Sequence, residues 1–330
     1  MEWISKAFIS EQPEASFAAC HAASCIKDEH GNIMIAYFAG SREGAQDVGI
    51  WLSSRLDGVW QAPRRIKYIY GLPHWNPILH RDGDRVLLYY KVGHSVRSWY
   101  TMVSESYDFG KSWTESREAI PGDYKSRVVT KNKILVTEDG RWLAGNSLES
   151  EVAWDSSIEI SCDGGQMWEE HPIFFDHSVP DTTGREKKYT GVIQPALWQS
   201  SAQEFHCVLR STEGRIYRSD STDGGRSWCE AYPTDMPNNN SGITVARLKD
   251  GRLLLVYNPI GENWGARTPL SVALSEDNGK TFARVLDLET APGEYSYPYV
   301  IEDGDGVCVV YTWNRKNIVC CELQPSKQGD

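Results

Sequence analysis

The eight-residue pattern Ser-x-Asp-x-Gly-x-x-Trp recurs along this chain and constrains its fold more than any other feature. Its copies are SYDFGKSW at 106–113, SCDGGQMW at 161–168, STDGGRSW at 221–228 and SEDNGKTF at 275–282, the last with Phe282 in place of tryptophan. A worn first copy ends in Asp57, Gly58 and Trp60. The starting serines at 106, 161, 221 and 275 are 54 to 60 residues apart, a period that gives six units in 330 residues. Each copy reads as a turn: the Ser and Asp oxygens accept bonds from nearby backbone N–H groups, Gly takes a positive φ, and the aromatic packs beneath. The aspartates are therefore structural. A calcium loop would need further ligand positions and a terminal bidentate Glu, which these segments lack.

Between the turns the chain repeats one strand grammar. GITVARLKDGRLLLVYNP, followed by PLSVALS, alternates apolar residues and reverses at Asp-Gly. IMIAYFAG with VGIWLSS, NPILHRDGDRVLLYYKVG with YTMVSES, and KILVTEDGRWLAGNS with SIEISCD follow the same plan. No helical periodicity of comparable length competes. Four strands per unit, six times over, predict an all-β chain forming one domain over residues 1–330: a six-bladed β-propeller with four-stranded antiparallel blades. The last unit has only YSYPYVIED, GVCVVYTWNR and NIVCCELQP, whereas the N-terminal WISKAFIS is unpaired. The N-terminal strand is expected to complete the last blade and so remove an exposed edge.

Charge and composition narrow the partners. With 34 Lys+Arg against 45 Asp+Glu the net charge is -11, a sign that repels phosphate backbones and anionic lipid, so neither nucleic acid nor membrane is expected. The first residues lack the basic start and apolar stretch of a secretion signal, and a cytoplasmic location is expected. The eight cysteines lie mostly in strand-like segments without metal-ligand spacing and read as reduced core residues. With no HExxH motif and no nucleotide-phosphate loop, neither metal nor cofactor is expected.

In such a ring, the innermost strand of each blade and the end of the next bring side chains to one mouth of the channel. In blade order these are His21 and Arg42, Asn76 and Lys91, Asn132 and Ser147, Gln194 and Arg210, Ser241 and Asn258, and Tyr297 and Trp313. A lectin with one sugar site per blade would repeat its contacts. These residues differ, which favours a single asymmetric pocket.

The four boxes resemble the Asp-box, or BNR, repeats of the sialidase (neuraminidase) superfamily, and the likeness covers nearly the whole chain. It implies a six-bladed propeller whose pocket holds three arginines on a substrate carboxylate, an aspartate acid/base, and a tyrosine nucleophile assisted by a glutamate. FAGSREGAQD resembles the acid/base segment, which gives that role to Asp47 with Arg42 in support. LRSTEGRIYRSDSTDGG and RTPLSVALSEDNG resemble the segments of the second and third clamp arginines, Arg210 and Arg267. GEYSYPYVIEDG is similar to the tyrosine segment and points to Tyr295 as nucleophile, with Tyr297 its neighbour. Two positions depart from the family: His21 stands where the first arginine is expected, and Gln194 where the glutamate is expected. An amide cannot take the tyrosine's proton, and a histidine is charged only near or below a pKa of ~6.5.

The arginine pair implies an anionic substrate, since planar guanidinium forks suit a carboxylate. A sugar with its carboxylate at the reacting carbon would repel a carboxylate nucleophile, which is where a neutral phenol is useful. The first functional expectation is an exo-acting, sialidase-like glycoside hydrolase on an acidic carbohydrate such as sialic acid. The second is a uronate-glycan lyase in which His21 and a tyrosine share the proton transfers of β-elimination. The third is a non-catalytic carbohydrate-binding propeller. Each residue also has a structural alternative: Arg210 and Arg267 as ion-paired struts, Asp47 as a turn cap, Tyr295 as packing and His21 as a satisfied core group. Lys91, Glu149 and Asn258 are singled out by position alone, and Asn76 is expected among the substrate-binding residues.

Overall fold

The Asp-box side chains fold their own turns. In the copy at 106–113, Ser106 Oγ donates to Asp108 Oδ1 at 2.9 Å and accepts from Gly110 N at 2.8 Å, while Asp108 accepts from the backbone and hydroxyl of Ser112 at 2.9 and 2.6 Å. The copies at Ser161, Ser221 and Ser275 repeat the serine-to-glycine bond. These bonds favour the ionised carboxylate: the Ser112 side chain and backbone hold Asp108 down at about 2, and Ser227 and Thr281 do the same for Asp223 and Asp277. The fifth box residue has to be glycine for two reasons. Its φ lies between +75° and +89° in the four copies. A Cβ there would also stand 2.5 Å from Met34 Cε at Gly110, 2.7 Å from the Tyr89 hydroxyl at Gly165, 2.8 Å from Leu143 Cδ2 at Gly225 and 2.9 Å from Trp198 Cζ2 at Gly279. Each box thus seals its own strands against the preceding group of strands.

The computed structural model describes residues 1–11, 16–178 and 189–325. Among these, all regular elements are β-strands, and they form six antiparallel meanders. The first contains Ala19–Lys27, Ile33–Gly40 and Gly49–Leu56, with Val59–Trp60 and Arg64–Lys67 on its outer side. The second runs through His74–Asp82, Arg85–Val92, Tyr100–Ser106 and Arg117–Glu118, and the third through Leu135–Val136, Trp142–Glu149, Ala153–Ser161 and Glu169–Ile173. The fourth comprises Thr190–Gln199, Phe205–Ser211, Arg215–Ser221 and Tyr232–Pro237, and the fifth Thr244–Arg247, Leu253–Tyr257, Leu270–Ser275 and Ala283–Glu289. The sixth has Tyr295–Asp303, Gly306–Trp313 and Asn317–Gln324, and its fourth strand is the N-terminal Glu2–Phe8, paired antiparallel with Asn317–Gln324. A short parallel bridge, Ala153 to Thr190 and Trp154 to Gly191, joins the third and fourth meanders into one sheet.

The first strand of the first meander packs on the first strands of the second and the sixth, and contacts continue from sixth to fifth, fifth to fourth and fourth to third. Between the second and third, His80 packs edge-on against Trp142 at 4.3 Å and Arg85 donates to the Gly164 carbonyl at 2.9 Å. Middle strands such as Arg85–Val92 are therefore covered on both faces, which is why RVLLYYKV reads as a nearly continuous apolar run. All eight cysteines are free thiols, six of them buried.

Four inner strands carry a register shift: between His21 and Ser24, Trp75 and Ile78, Ile193 and Ala196, and Ser296 and Tyr299. At each shift a non-glycine residue has positive φ: Ala22 at 55°, Asn76 at 41°, Gln194 at 60° and Tyr297 at 53°. Strain of this kind persists only where the surroundings over-determine it. At these bulges the strands turn His21, Asn76 and Tyr297 into one cavity.

Candidate active site

The cavity has a volume of about 240 Å³ and takes its lining from every meander but the third's innermost strand and the fifth's regular strands, which contribute through loops and strand ends instead. Four guanidinium groups line it: Arg97 on the loop before Tyr100–Ser106, paired with Glu151 at 2.9 Å, Arg210 at the end of Phe205–Ser211, Arg267 on the loop before Leu270–Ser275, and Arg315 in the turn after Gly306–Trp313. Arg210 is 4% exposed. It donates from Nε to Asn240 Oδ1 at 2.7 Å, and from Nη1 to the Tyr297 hydroxyl at 3.0 Å and to Gln194 Oε1 at 3.5 Å. These acceptors are all uncharged. Trp154 and Trp264 pack against the guanidinium, with ring centroids 5.3 and 5.6 Å from its carbon.

Arg267 and Arg315 are partly neutralised. Glu294 Oε1 accepts from both, at 3.0 Å from Arg267 Nη1 and 2.6 Å from Arg315 Nε, and Glu43 takes Arg315 Nη1 at 2.5 Å. Arg315 has φ of 57° and follows Asn314 at 50°, so a left-handed turn aims this side chain back toward the cavity.

Tyr297 receives a second bond, 3.1 Å from Gln194 Nε2. Its phenol oxygen is therefore an acceptor from both an amide and a guanidinium. His21 packs beside it with ring centroids 4.2 Å apart, and its Nδ1 shares a 2.9 Å hydrogen bond with Thr312 Oγ1. Burial, with Arg315, Arg267, Arg210 and Lys131 nearby, pushes the His21 pKa well below its ordinary value, so the imidazole is neutral at neutral pH. The same forces, burial first and Arg210 second, press the Lys131 pKa well down. Glu149 is partly buried in the cavity wall, where loss of solvation raises its carboxyl to about 7 against the pull of Arg210 and Arg97. A carboxyl titrating there can hold a proton at neutral pH and release it. Trp75, Trp99, Trp154, Tyr189 and Trp264 supply flat walls of the kind that pack on sugar rings.

The structure brings His21, Asn76, Arg210, Arg267 and Tyr297 together in the lining, with Gln194 buried immediately behind Tyr297 and Arg210. It keeps others apart. Asp47 is exposed and accepts from Ser41 N at 2.9 Å and Ser41 Oγ at 2.8 Å, the turn-cap alternative; Arg42 is exposed beside it, and Glu43 from the same loop faces the cavity instead. Tyr295 is 2% exposed in the apolar layer with Trp313 and Tyr311, because the bulge after Ser296 sends the two tyrosines to different surroundings. Lys91 is fully buried on Thr101 Oγ1, Ser126 Oγ and the Arg127 carbonyl at 2.7, 3.1 and 2.8 Å, its pKa pushed down to about 7 by burial. Asn258 ties the carbonyls of Pro269 and Tyr295 at 2.8 and 3.0 Å. Neither lines the cavity. Sequence reasoning passed over Arg315 and Glu43, and had no signal for Glu149 beyond its position.

Residues 31–310 match the family model described as a BNR repeat-like domain. The chain belongs to the BNR repeat-like family. This BNR repeat-like chain shares its fold with solved structures. It is similar to a Dyadobacter fermentans protein of unknown function, with 18% identity, 98% of each chain covered and a TM-score of 0.76. The Hadza microbial sialidase Hz136 aligns at 14% identity over 97% of this chain and 68% of its own, with a TM-score of 0.76. Trypanosoma rangeli sialidase aligns at 13% identity over 92% of this chain, with a TM-score of 0.70; the BNR repeat-like chain spans 55% of that longer protein. No curated protein matches the sequence.

Proposed function

We propose that the six meanders are the blades of a six-bladed propeller and that its cavity is the active site of a glycosidase removing a terminal carboxylated sugar. The observation that carries this reading is Arg210, a buried guanidinium whose hydrogen bonds among the described residues all go to uncharged groups, sharing one cavity with Arg267 and Arg315. A buried cation with no charged hydrogen-bond partner among the described residues is costly, and a ligand carboxylate would supply a counter-charge. The cavity's size suits one terminal sugar ring, which makes the enzyme exo-acting.

In this reading Arg210, Arg267 and Arg315 hold the carboxylate and set the anomeric carbon against the Tyr297 oxygen. Glu149 gives its proton to the departing glycosidic oxygen as the C–O bond breaks. The electron-rich phenol oxygen meets the positive charge that develops on carbon, and water completes the hydrolysis, returning a proton to Glu149. The test is turnover of 4-methylumbelliferyl N-acetylneuraminide and the corresponding uronides, with Arg210→Met as control. Release of fluorophore that falls at least about 100-fold in the variant supports the reading. Release that ignores Arg210 overturns it, and binding without release in the wild type would leave the protein a carbohydrate-binding module.

One observation favours a second chemistry, β-elimination on a uronate. His21 is neutral and packs tilted beside Tyr297 at 4.2 Å, and Tyr297 bonds to an amide at Gln194 where hydrolysis by a tyrosine nucleophile wants a carboxylate. Elimination leaves an unsaturated product absorbing in the near ultraviolet and consumes no water, so one absorbance trace on uronate oligosaccharides separates the two.

A further inference from the structure

Beneath the cavity, the buried neighbours Lys131 and Asn132, 3% and 2% exposed, reach the inner strands that carry the site. Lys131 Nζ donates to the carbonyl of Ile243 at 2.8 Å and to that of Pro298, the residue after Tyr297, and lies 3.2 Å from Asn132 Oδ1. Asn132 Nδ2 donates to the carbonyls of Gln194 at 2.9 Å and Pro195 at 3.2 Å. One dipeptide therefore grips the backbone at or beside both Gln194 and Tyr297, whose φ values are 60° and 53°. Non-glycine residues keep such angles only when several contacts fix them together. Three acceptors surround Lys131 Nζ and engage its N–H donors. The space that Lys131 shares with Tyr297, Asn76 and Ile78 has no room for a water molecule, so the lysine makes these contacts directly.

Gly242 completes the support. A methyl group on it would stand 3.1 Å from Lys131 Cε, 3.3 Å from Gln194 Oε1 and 3.3 Å from Tyr297 Cδ2. The three side chains close over this glycine with no slack.

We propose that Lys131, aided by Asn132, is the positioning residue for the Gln194–Tyr297 pair: it touches no sugar and acts by holding the Tyr297 oxygen on Arg210. The inference rests on the reading of Tyr297 as the group that faces the reacting carbon. Displacement of a reacting group by about 1 Å lowers rates on the order of 100-fold. That sets the size of the expected effect.

The test is Lys131→Met in the full chain, read by crystal structure, kinetics and calorimetric titration with N-acetylneuraminic acid. The expected result is a Tyr297 oxygen no longer within 3.5 Å of Arg210 Nη1 and a kcat about 100-fold lower, with sugar affinity within about threefold because the guanidiniums are untouched. A Tyr297 that stays on Arg210 with kcat within twofold overturns the proposal, and so does an equal loss of kcat and affinity. Should the wild type turn over no acidic glycoside, the functional reading fails on its own. The position of Tyr297 in the variant crystal then decides the role of Lys131, moved in support or unmoved against. Should Lys131→Met fail to fold, Gly242→Ala crowds the same three side chains with every donor retained, and the same displacement of Tyr297 supports or overturns the role.

Discussion

The Tyr297 hydroxyl lies 3.0 Å from Nη1 of Arg210, so the two groups that face the cavity from the sixth and fourth meanders are in direct contact. Tyr295, two residues away, makes no such contact and sits among apolar side chains. Tyr297→Phe is expected to lower kcat about 1,000-fold on an acidic glycoside while leaving binding nearly intact. Tyr295→Phe should change kcat less than threefold. Steady-state kinetics on the two variants check this, and the opposite order would move the reacting tyrosine to Tyr295.

Glu149 predicts a pH profile. Its carboxyl is raised from 4.5 to about 7 by burial, so its acid form, the proton donor, declines as pH rises through about 7. kcat/KM should fall with that midpoint and about tenfold per further pH unit, whereas Glu149→Gln should be slow and lack that limb. Asp47→Asn should leave the profile unchanged. The same shift bears on folding. The native state binds a proton that the unfolded state has released, so stability is lost from pH 4.5 up to about 7 and then levels off. Glu149→Gln should lack this decline in thermal melts at a series of pH values.

Arg315 predicts a split between a cavity arginine and an exposed one. Arg315→Met should raise KM for an acidic glycoside about 100-fold, since a charge-assisted contact to the carboxylate is lost. Arg42→Met, on the exposed loop, should stay within twofold. Equal effects in the two variants would show that Arg315 serves only to brace Glu43 and Glu294.

The boxes predict a stability effect without a catalytic one. Asp223→Ala removes the acceptor of the Arg226 and Ser227 backbone N–H groups and should destabilise the protein by about 1–3 kcal/mol. The urea midpoint should fall with its slope unchanged, kcat should hold, and neither calcium nor EDTA should move the midpoint.

What could be read from the sequence follows from how local each determinant is. The boxes were legible because Ser221, Asp223, Gly225 and Trp228 build one turn from bonds within eight residues. The partnerless N-terminal strand was legible because the last unit lacked a fourth strand. Arg210 and Arg267 carried recognisable flanking segments. The sequence did not reveal that Tyr297 rather than Tyr295 lines the cavity, because a bulge after Ser296 breaks the two-residue alternation on which a face assignment rests. Arg315 was hidden in a left-handed turn that no glycine announces. Asp47 and Glu43 share one loop, and only the bonds from Ser41 decide which of them is used up locally. The raised carboxyl of Glu149 depends on burial by other meanders, which no local pattern encodes.

The central claim is that the cavity is a receptor for a sugar carboxylate centred on Arg210. Isothermal titration of N-acetylneuraminic acid and of its methyl ester into the wild type and Arg210→Met measures this directly. The account predicts that the wild type prefers the acid by about 100-fold or more and that Arg210→Met loses the preference. Equal affinity of the wild type for acid and ester would contradict it.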